Sequence, residues 1–150
     1  DWLKIFLKNN TNKKFSTFVN FSYNNAKYIN SDEPAFENKL VELVPPFVLR
    51  TGCTFGINNF SISYQYSYTH EHFSDATNAT NVSNAVIGII PSYLTMDLSG
   101  KYTYKKFQFE AGINNLTNES YFTRRASGYP GPGILPSPPR NFYLGIQLKI

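Results

Sequence analysis

The sequence predicts an all-β protein, an antiparallel up-and-down sheet of the kind that walls a transmembrane β-barrel, to which this chain contributes about six or seven strands. Three observations carry this. Apolar and polar residues alternate with a period of two through most of the 150 residues, and strand side chains point to opposite faces in turn. Connections of two or three residues alternate strictly with long ones. Aromatic residues make up 17% of the chain while mean hydropathy is only −0.33, as expected where alternate residues alone meet an apolar medium. A soluble antiparallel sandwich shares the alternation, and on pattern alone both architectures stand.

Residues 1–14 hold Trp2-Leu3 and Ile5-Phe6-Leu7, which fit a short amphipathic helix as well as a strand, so their type is open. Residues 15–29 read as a strand with Phe15, Thr17, Val19, Phe21 and Tyr23 on the apolar face, although Phe18 breaks the polar side. Residues 47–57 and 60–69 form a hairpin through Asn58-Asn59, with Phe47, Leu49, Cys53, Phe55, Ile57, Phe60, Ile62, Tyr64, Tyr66 and Tyr68 on one face. Residues 94–104 and 107–114 form another through Lys105-Lys106. The last strand, 141–150, sets Phe142, Leu144, Ile146, Leu148 and Ile150 against Asn141, Tyr143, Gln147 and Lys149. Such an edge needs a partner, and a closed barrel removes edges altogether.

The long connections, about 30–46, 74–92 and 118–140, are rich in Pro, Gly, Asn and Ser, and 128–139 is too proline-rich to be strand. One trimmed and one elaborated end is the asymmetry of outer-membrane barrels, whose tilted strands need roughly 9–11 residues to cross the hydrocarbon. A single cysteine, Cys53, excludes a disulfide-stapled module. The net charge of +4 is dispersed, without the basic stripe of a nucleic-acid binder. The absence of a signal peptide at Asp1 suggests a processed chain or a piece of a longer one.

Three stretches carry a resemblance. They are Asn114-Asn115-Leu116-Thr117-Asn118-Glu119-Ser120-Tyr121-Phe122, then Arg125 through Ile134 with Gly128-Tyr129-Pro130-Gly131, and then Pro139-Arg140-Asn141-Phe142-Tyr143-Leu144-Gly145. Leu43-Val44-Pro45 and Glu71-His72-Phe73-Ser74-Asp75 with Asn78 add to it. Together they resemble the C-terminal end of TonB-dependent outer-membrane receptors, in the branch that includes ferric-dicitrate receptors. The resemblance covers roughly residues 15–150. It implies a bacterial outer-membrane location and a multi-pass barrel of 22 strands. The plug domain and the TonB-gripped box would lie outside this chain, and the ligand would be a ferric chelate. Lipid, lipopolysaccharide and the barrel-assembly machinery become the expected partners. The machinery would read Tyr143, Gly145, Leu148 and Ile150, although Ile150 stands where the family usually ends on an aromatic residue. With the C-terminus in the periplasm, Lys105-Lys106 and Asn58-Asn59 lie there too and the long connections lie outside the cell.

Candidate ligand-binding residues are few. Arg124 and Arg125 offer forked donors to a carboxylate or anionic chelate, or else brace their loop or meet lipopolysaccharide phosphates. His70 and His72 would share a face of a strand, with Asp75 nearby; two histidines at a strand end are more often surface residues, and no metal centre or cofactor is expected. Asn-x-Ser/Thr triplets in the Asn10 region and at Asn20, Asn59, Asn78, Asn81, Asn115 and Asn118 follow from the abundance of Asn. Neither a Ser-His-Asp order, nor paired carboxylates, nor a phosphate loop appears, so no enzyme is expected. The chain reads as part of an active importer. Its rivals are a complete small barrel in adhesion or envelope integrity, for which about 150 residues would suffice, and a soluble carbohydrate-binding sandwich.

Overall fold

The computed structural model describes residues 1–12, 14–80, 85–129 and 131–149. Seven long strands make one antiparallel sheet in the order β1-β2-β3-β4-β7-β8-β11. These are β1 (Trp2–Asn12), β2 (Phe15–Asn24), β3 (Phe47–Ile57), β4 (Phe60–Thr69), β7 (Tyr93–Tyr104), β8 (Phe107–Asn114) and β11 (Asn141–Leu148). Sequence neighbours pair throughout, and among the described residues the outer edges of β1 and β11 are unpaired. Two small ribbons, β5 (His72–Phe73) with β6 (Ile89–Ile90) and β9 (Phe122–Ala126) with β10 (Gly133–Pro136), stand in the long connections, and a 3-10 turn covers Pro34–Phe36.

The open first segment is a strand, because Ile5, Leu7 and Leu3 fall opposite Phe21, Val19 and Tyr23 and continue the apolar face. β2 stops at Asn24 rather than residue 29. Its partner strand is preceded by Pro45 and Pro46, which have no N–H to extend the ladder, and Asn24 instead donates to both of their carbonyls. The stretch 128–139 departs from expectation. Gly133–Pro136 pairs with β9: Ile134 and Leu135 keep their N–H groups, Leu135 before a proline is biased toward extended backbone, and Pro136 sits at the end where the register shifts. Ile150 lies outside the described residues.

Register turns the alternation of each strand into continuous rows. Ile5, Phe21, Leu49, Tyr68 and Leu94 lie directly opposite one another across five strands, and Phe15, Phe55, Ile62, Gly100, Ala111 and Leu144 across six. The other face carries rows such as Ser16, Thr54, Ser63, Ser99, Gly112 and Tyr143, with side-chain hydrogen bonds from Thr54 to Ser63 (2.8 Å), Asn114 to Asn141 (2.8 Å) and Gln108 to Gln147 (3.2 Å). Phe18, which interrupts the polar pattern, lies over Gly52. A Cβ added there would stand 2.6 Å from the Phe18 ring, and one added at Gly112 would stand 2.5 Å from Tyr143. Each glycine makes room for an aromatic ring lying flat across the neighbouring strand.

The apolar face is not the inside of anything in this chain. A globular monomer of 17.1 kDa exposes about 7,800 Å², whereas this chain exposes 10361 Å². The buried hydrophobic side chains among the described residues are Ile90 and Ala126, both in the ribbons and neither in the large sheet. Leu144 is 76% and Phe142 72% exposed. A two-sheet sandwich would cover these side chains.

Candidate functional site

The two-residue turns after β3 and β7 fall at the end of the sheet where β1 and β11 finish, and the long connections gather at the other. Those long connections are joined to each other. Segment 25–46 folds back on itself through Tyr28 N–H to Lys39 O (2.9 Å) and Val41 N–H to Ala26 O (3.0 Å). The Tyr28 hydroxyl donates to Glu42 Oε2 at 2.5 Å, and this bond, followed by desolvation and the Glu42 charge, holds the phenol above its ordinary pKa. Asn78 then ties this segment to the next, its amide donating to Leu40 O (2.8 Å) and accepting from Leu40 N–H (2.7 Å). Leu43 N–H donates to Phe73 O (2.8 Å).

Arg125 makes the third tie. Its Nη2 and Nε donate to Ile89 O at 2.8 and 3.2 Å, its Nη1 donates to Ala85 O at 2.8 Å, and the guanidinium lies 5.1 Å from the centre of the Phe122 ring. A planar fork serving two carbonyls and a ring is the use for which arginine is suited. Arg125 therefore braces the second and third connections. Arg124 is exposed beside it, and no described residue holds its guanidinium.

The two histidines separate. β4 ends at Thr69, but His70 N–H still donates to Phe47 O (3.1 Å), and its ring shares the Tyr68 side of the sheet. The His70 ring stacks on Phe47 at 4.8 Å, and its Nδ1 is 3.2 Å from the Tyr68 hydroxyl. His72 is buried, with Nδ1 3.1 Å from His70 O. Among the described residues no three His, Cys, Asp or Glu side chains converge as a metal site would require.

Three features of this end have physical roles that the linear sequence does not state. Asn115, 4% exposed and at φ 53, closes β8: its Oδ1 accepts from Glu119 N–H (2.8 Å), its Nδ2 donates to Glu119 O (2.9 Å), and its own N–H donates to Asp97 Oδ1 (2.9 Å). Asn118, also at positive φ, accepts from Arg140 N–H (3.0 Å) and so fixes the entry to β11. On the polar face a cleft of about 280 Å³ runs between Lys4 and Arg50 over Asn20 and Ser22.

The family model "TonB dependent receptor-like, beta-barrel" matches residues 3–116. The chain belongs to that family. Among solved structures, the TonB-dependent receptor wall matches the unliganded ferric citrate transporter FecA with TM-score 0.80 at 20% identity, over 87% of this chain and 20% of that one. It matches the siderophore receptor PiuA from Acinetobacter baumannii with TM-score 0.76 at 18% identity, over 97% of this chain and 21% of that one. The ferric yersiniabactin uptake receptor FyuA from Yersinia pestis follows with TM-score 0.77 at 16% identity, over 95% and 22%. No curated protein matches. The chain thus spans about a fifth of the length of the structures it resembles. In a receptor barrel the apolar face meets lipid and the polar face lines the lumen. The strand lengths agree: eleven residues span roughly 36 Å and, tilted by about 45°, rise about 26 Å, against an apolar band about 25 Å tall.

Proposed function

We propose that this chain forms part of the wall and outer loops of an outer-membrane, TonB-dependent receptor that imports a ferric chelate, of the citrate or siderophore class. The observation that carries the proposal is a seven-stranded family sheet with an exposed apolar face, whose long connections collect at one end and are tied into one cluster. Among the described residues both edges of that sheet are open, which favours a wall segment of a larger barrel over a complete small one. The names of the structures it resembles, a ferric citrate transporter, a siderophore receptor and a ferric yersiniabactin receptor, support the chelate class.

In this reading the long connections face outward and the two-residue turns face the periplasm. Further strands, the plug and its TonB contact belong to the rest of the receptor. Arg124 is the exposed forked donor for an anionic chelate, while Arg125 holds the loop that presents it. His70, with Phe47 and Tyr68, belongs to the aromatic rim at the lipopolysaccharide level. Tyr143, Gly145 and Leu148 of β11, together with Ile150 of the sequence, are what the barrel-assembly machinery reads. No residue is assigned to catalysis, and no cofactor is required.

Uptake of radiolabelled iron as citrate and as siderophore complexes, in cells with and without the full-length gene and with and without TonB, tests this. Loss of uptake of one chelate in both deletions is expected. Undiminished uptake of every ferric chelate would overturn the assignment.

A further inference from the structure

The polar face carries its charge in two unlike halves. Strands β1 to β4 contain three cations, Lys4, Lys8 and Arg50, all exposed on that face, and no Asp or Glu. Strands β7, β8 and β11 contain Asp97, Glu110 and Lys101, with Lys101 directly opposite Glu110. In the first half the cations surround one spot. Phe6 lies opposite Asn20 and Asn20 opposite Arg50, while Lys4 and Lys8 flank Phe6 two residues away on either side. Two strand spacings and two residues put each lysine roughly 12 Å from Arg50 between Cα atoms, and the cleft of about 280 Å³ lies between Lys4 and Arg50. Aromatic rings alternate with the ammonium groups, since Trp2, Lys4, Phe6 and Lys8 follow one another along one face of β1. Trp2 is 73% and Phe6 64% exposed, and Lys4 Nζ lies 5.9 Å from the centre of the Trp2 ring. The row starts at the loop end of the strand, where Asn25 N–H donates to Asp1 O (2.8 Å). A further strand on the outer edge of β1 would bond in the plane of the sheet and leave this face uncovered.

We infer that this face binds an aryl-bearing, polyanionic ferric chelate of the catecholate class. A catecholate joins a flat ring to oxygens that carry the charge, so its rings stack on Trp2 and Phe6 while its oxygens meet Lys4, Lys8 and Arg50. Ferric citrate would engage the cations and leave the two rings in water. An uncharged ferric hydroxamate would leave the cations unpaired. An acidic segment of the plug would also match the charge, but the row begins beside the connections that meet an incoming ligand, which favours the chelate. The inference rests on the proposal above that the chain belongs to a ferric-chelate importer with its polar face toward the lumen, and it narrows the ligand class given there. A charge-assisted bond is worth about tenfold in affinity and a ring pair about fivefold.

The test measures binding of radiolabelled iron to the purified full-length receptor with three probes: the ferric complex of a synthetic tris-catecholamide, ferric citrate, and an uncharged ferric trihydroxamate. The catecholamide complex should bind at least about tenfold more tightly than either of the others. This comparison needs no variant and stands whether or not a substituted receptor folds. K4Q/R50Q should weaken the catecholamide complex by about a hundredfold, K4R/R50K should retain most of the affinity, and K101Q, whose charge faces Glu110, should leave it unchanged. F6L, which keeps an apolar side chain without the ring, should weaken the catecholamide complex about fivefold and leave ferric citrate unchanged. Equal or tighter binding of ferric citrate or of the trihydroxamate would overturn the inference. Full affinity in K4Q/R50Q would overturn it too, and a plug newly open to protease in that variant would then assign the cations to the plug. A receptor that binds none of the three probes would instead bring down the underlying reading, whereas one that binds them without preference would defeat this inference alone.

Discussion

Replacing Asn115 by Ala should release the third outer connection from the end of β8. The side chain is 4% exposed and makes two short bonds to the Glu119 backbone, at 2.8 and 2.9 Å. Each is worth about 1 kcal/mol. An alanine held at φ 53 adds about 1 kcal/mol of left-handed strain that Asn tolerates better. The sum, about 3 kcal/mol, corresponds to roughly 150-fold faster local opening. Asn115→Gly loses the same bonds without the strain, so about 2 kcal/mol and roughly 30-fold are expected. Hydrogen exchange at the Glu119 amide in the full-length receptor reads this directly. Exchange rates unchanged in both variants, or faster in Gly than in Ala, would refute the reasoning.

Arg125→Lys keeps the charge but not the fork, and should cost about 2 kcal/mol of loop stability, seen as new protease cleavage in 127–137; Arg124→Gln should leave the cleavage pattern unchanged and weaken chelate binding. Gly112→Ala should destabilise by about 1–3 kcal/mol in denaturant titration and recover when combined with Tyr143→Ala. Gly52→Ala should not recover with Phe18→Ala, because its Cβ would also stand 2.8 Å from the Tyr64 carbonyl oxygen. The protonated Tyr28 phenol donates to Glu42, so its contribution is complete below the ordinary phenol pKa and is lost as pH rises through the higher folded value. Carbon-13 NMR of the tyrosine ring should show that pKa falling toward the ordinary value in Glu42→Gln.

The strands were legible because each is long and its alternation is repeated by its neighbours: Phe47 to Ile57 and Phe60 to Thr69 carry the same face at every other position. β1 was ambiguous because Trp2 and Phe6 stand on the polar face, where Phe6 lies opposite Asn20, and blur the period of two. Only pairing with β2 decides it. The ribbon β10 escaped the composition rule because the three residues between Pro132 and Pro136 suffice for a short edge. Arg125 was legible as a forked donor, with chelate and loop both open; that its partners are Ile89 and Ala85 carbonyls depends on a contact between segments 36 and 40 residues apart. His70 and His72 looked paired only while one strand was assumed to carry both; His70 stays on Phe47 of β3, whereas His72 pairs with Ile90 in the small ribbon. Asn115 and Asn118 were visible as part of a family signature, but their physical role depends on positive φ and on Asp97, which a linear motif does not contain.

The central claim is that lipid covers the apolar face and water the other. Single cysteines placed along β4 at positions 61 to 68 in the full-length receptor, with Cys53 replaced by Ala, can be probed in intact membranes with a small membrane-impermeant thiol reagent and with a lipid-dissolved quencher. Cysteines at 61, 63, 65 and 67 should report on the aqueous side and those at 62, 64, 66 and 68 on the lipid side, in strict alternation. Uniform labelling along the strand, or quenching on the face of Ser63 and Gln65, would contradict the account.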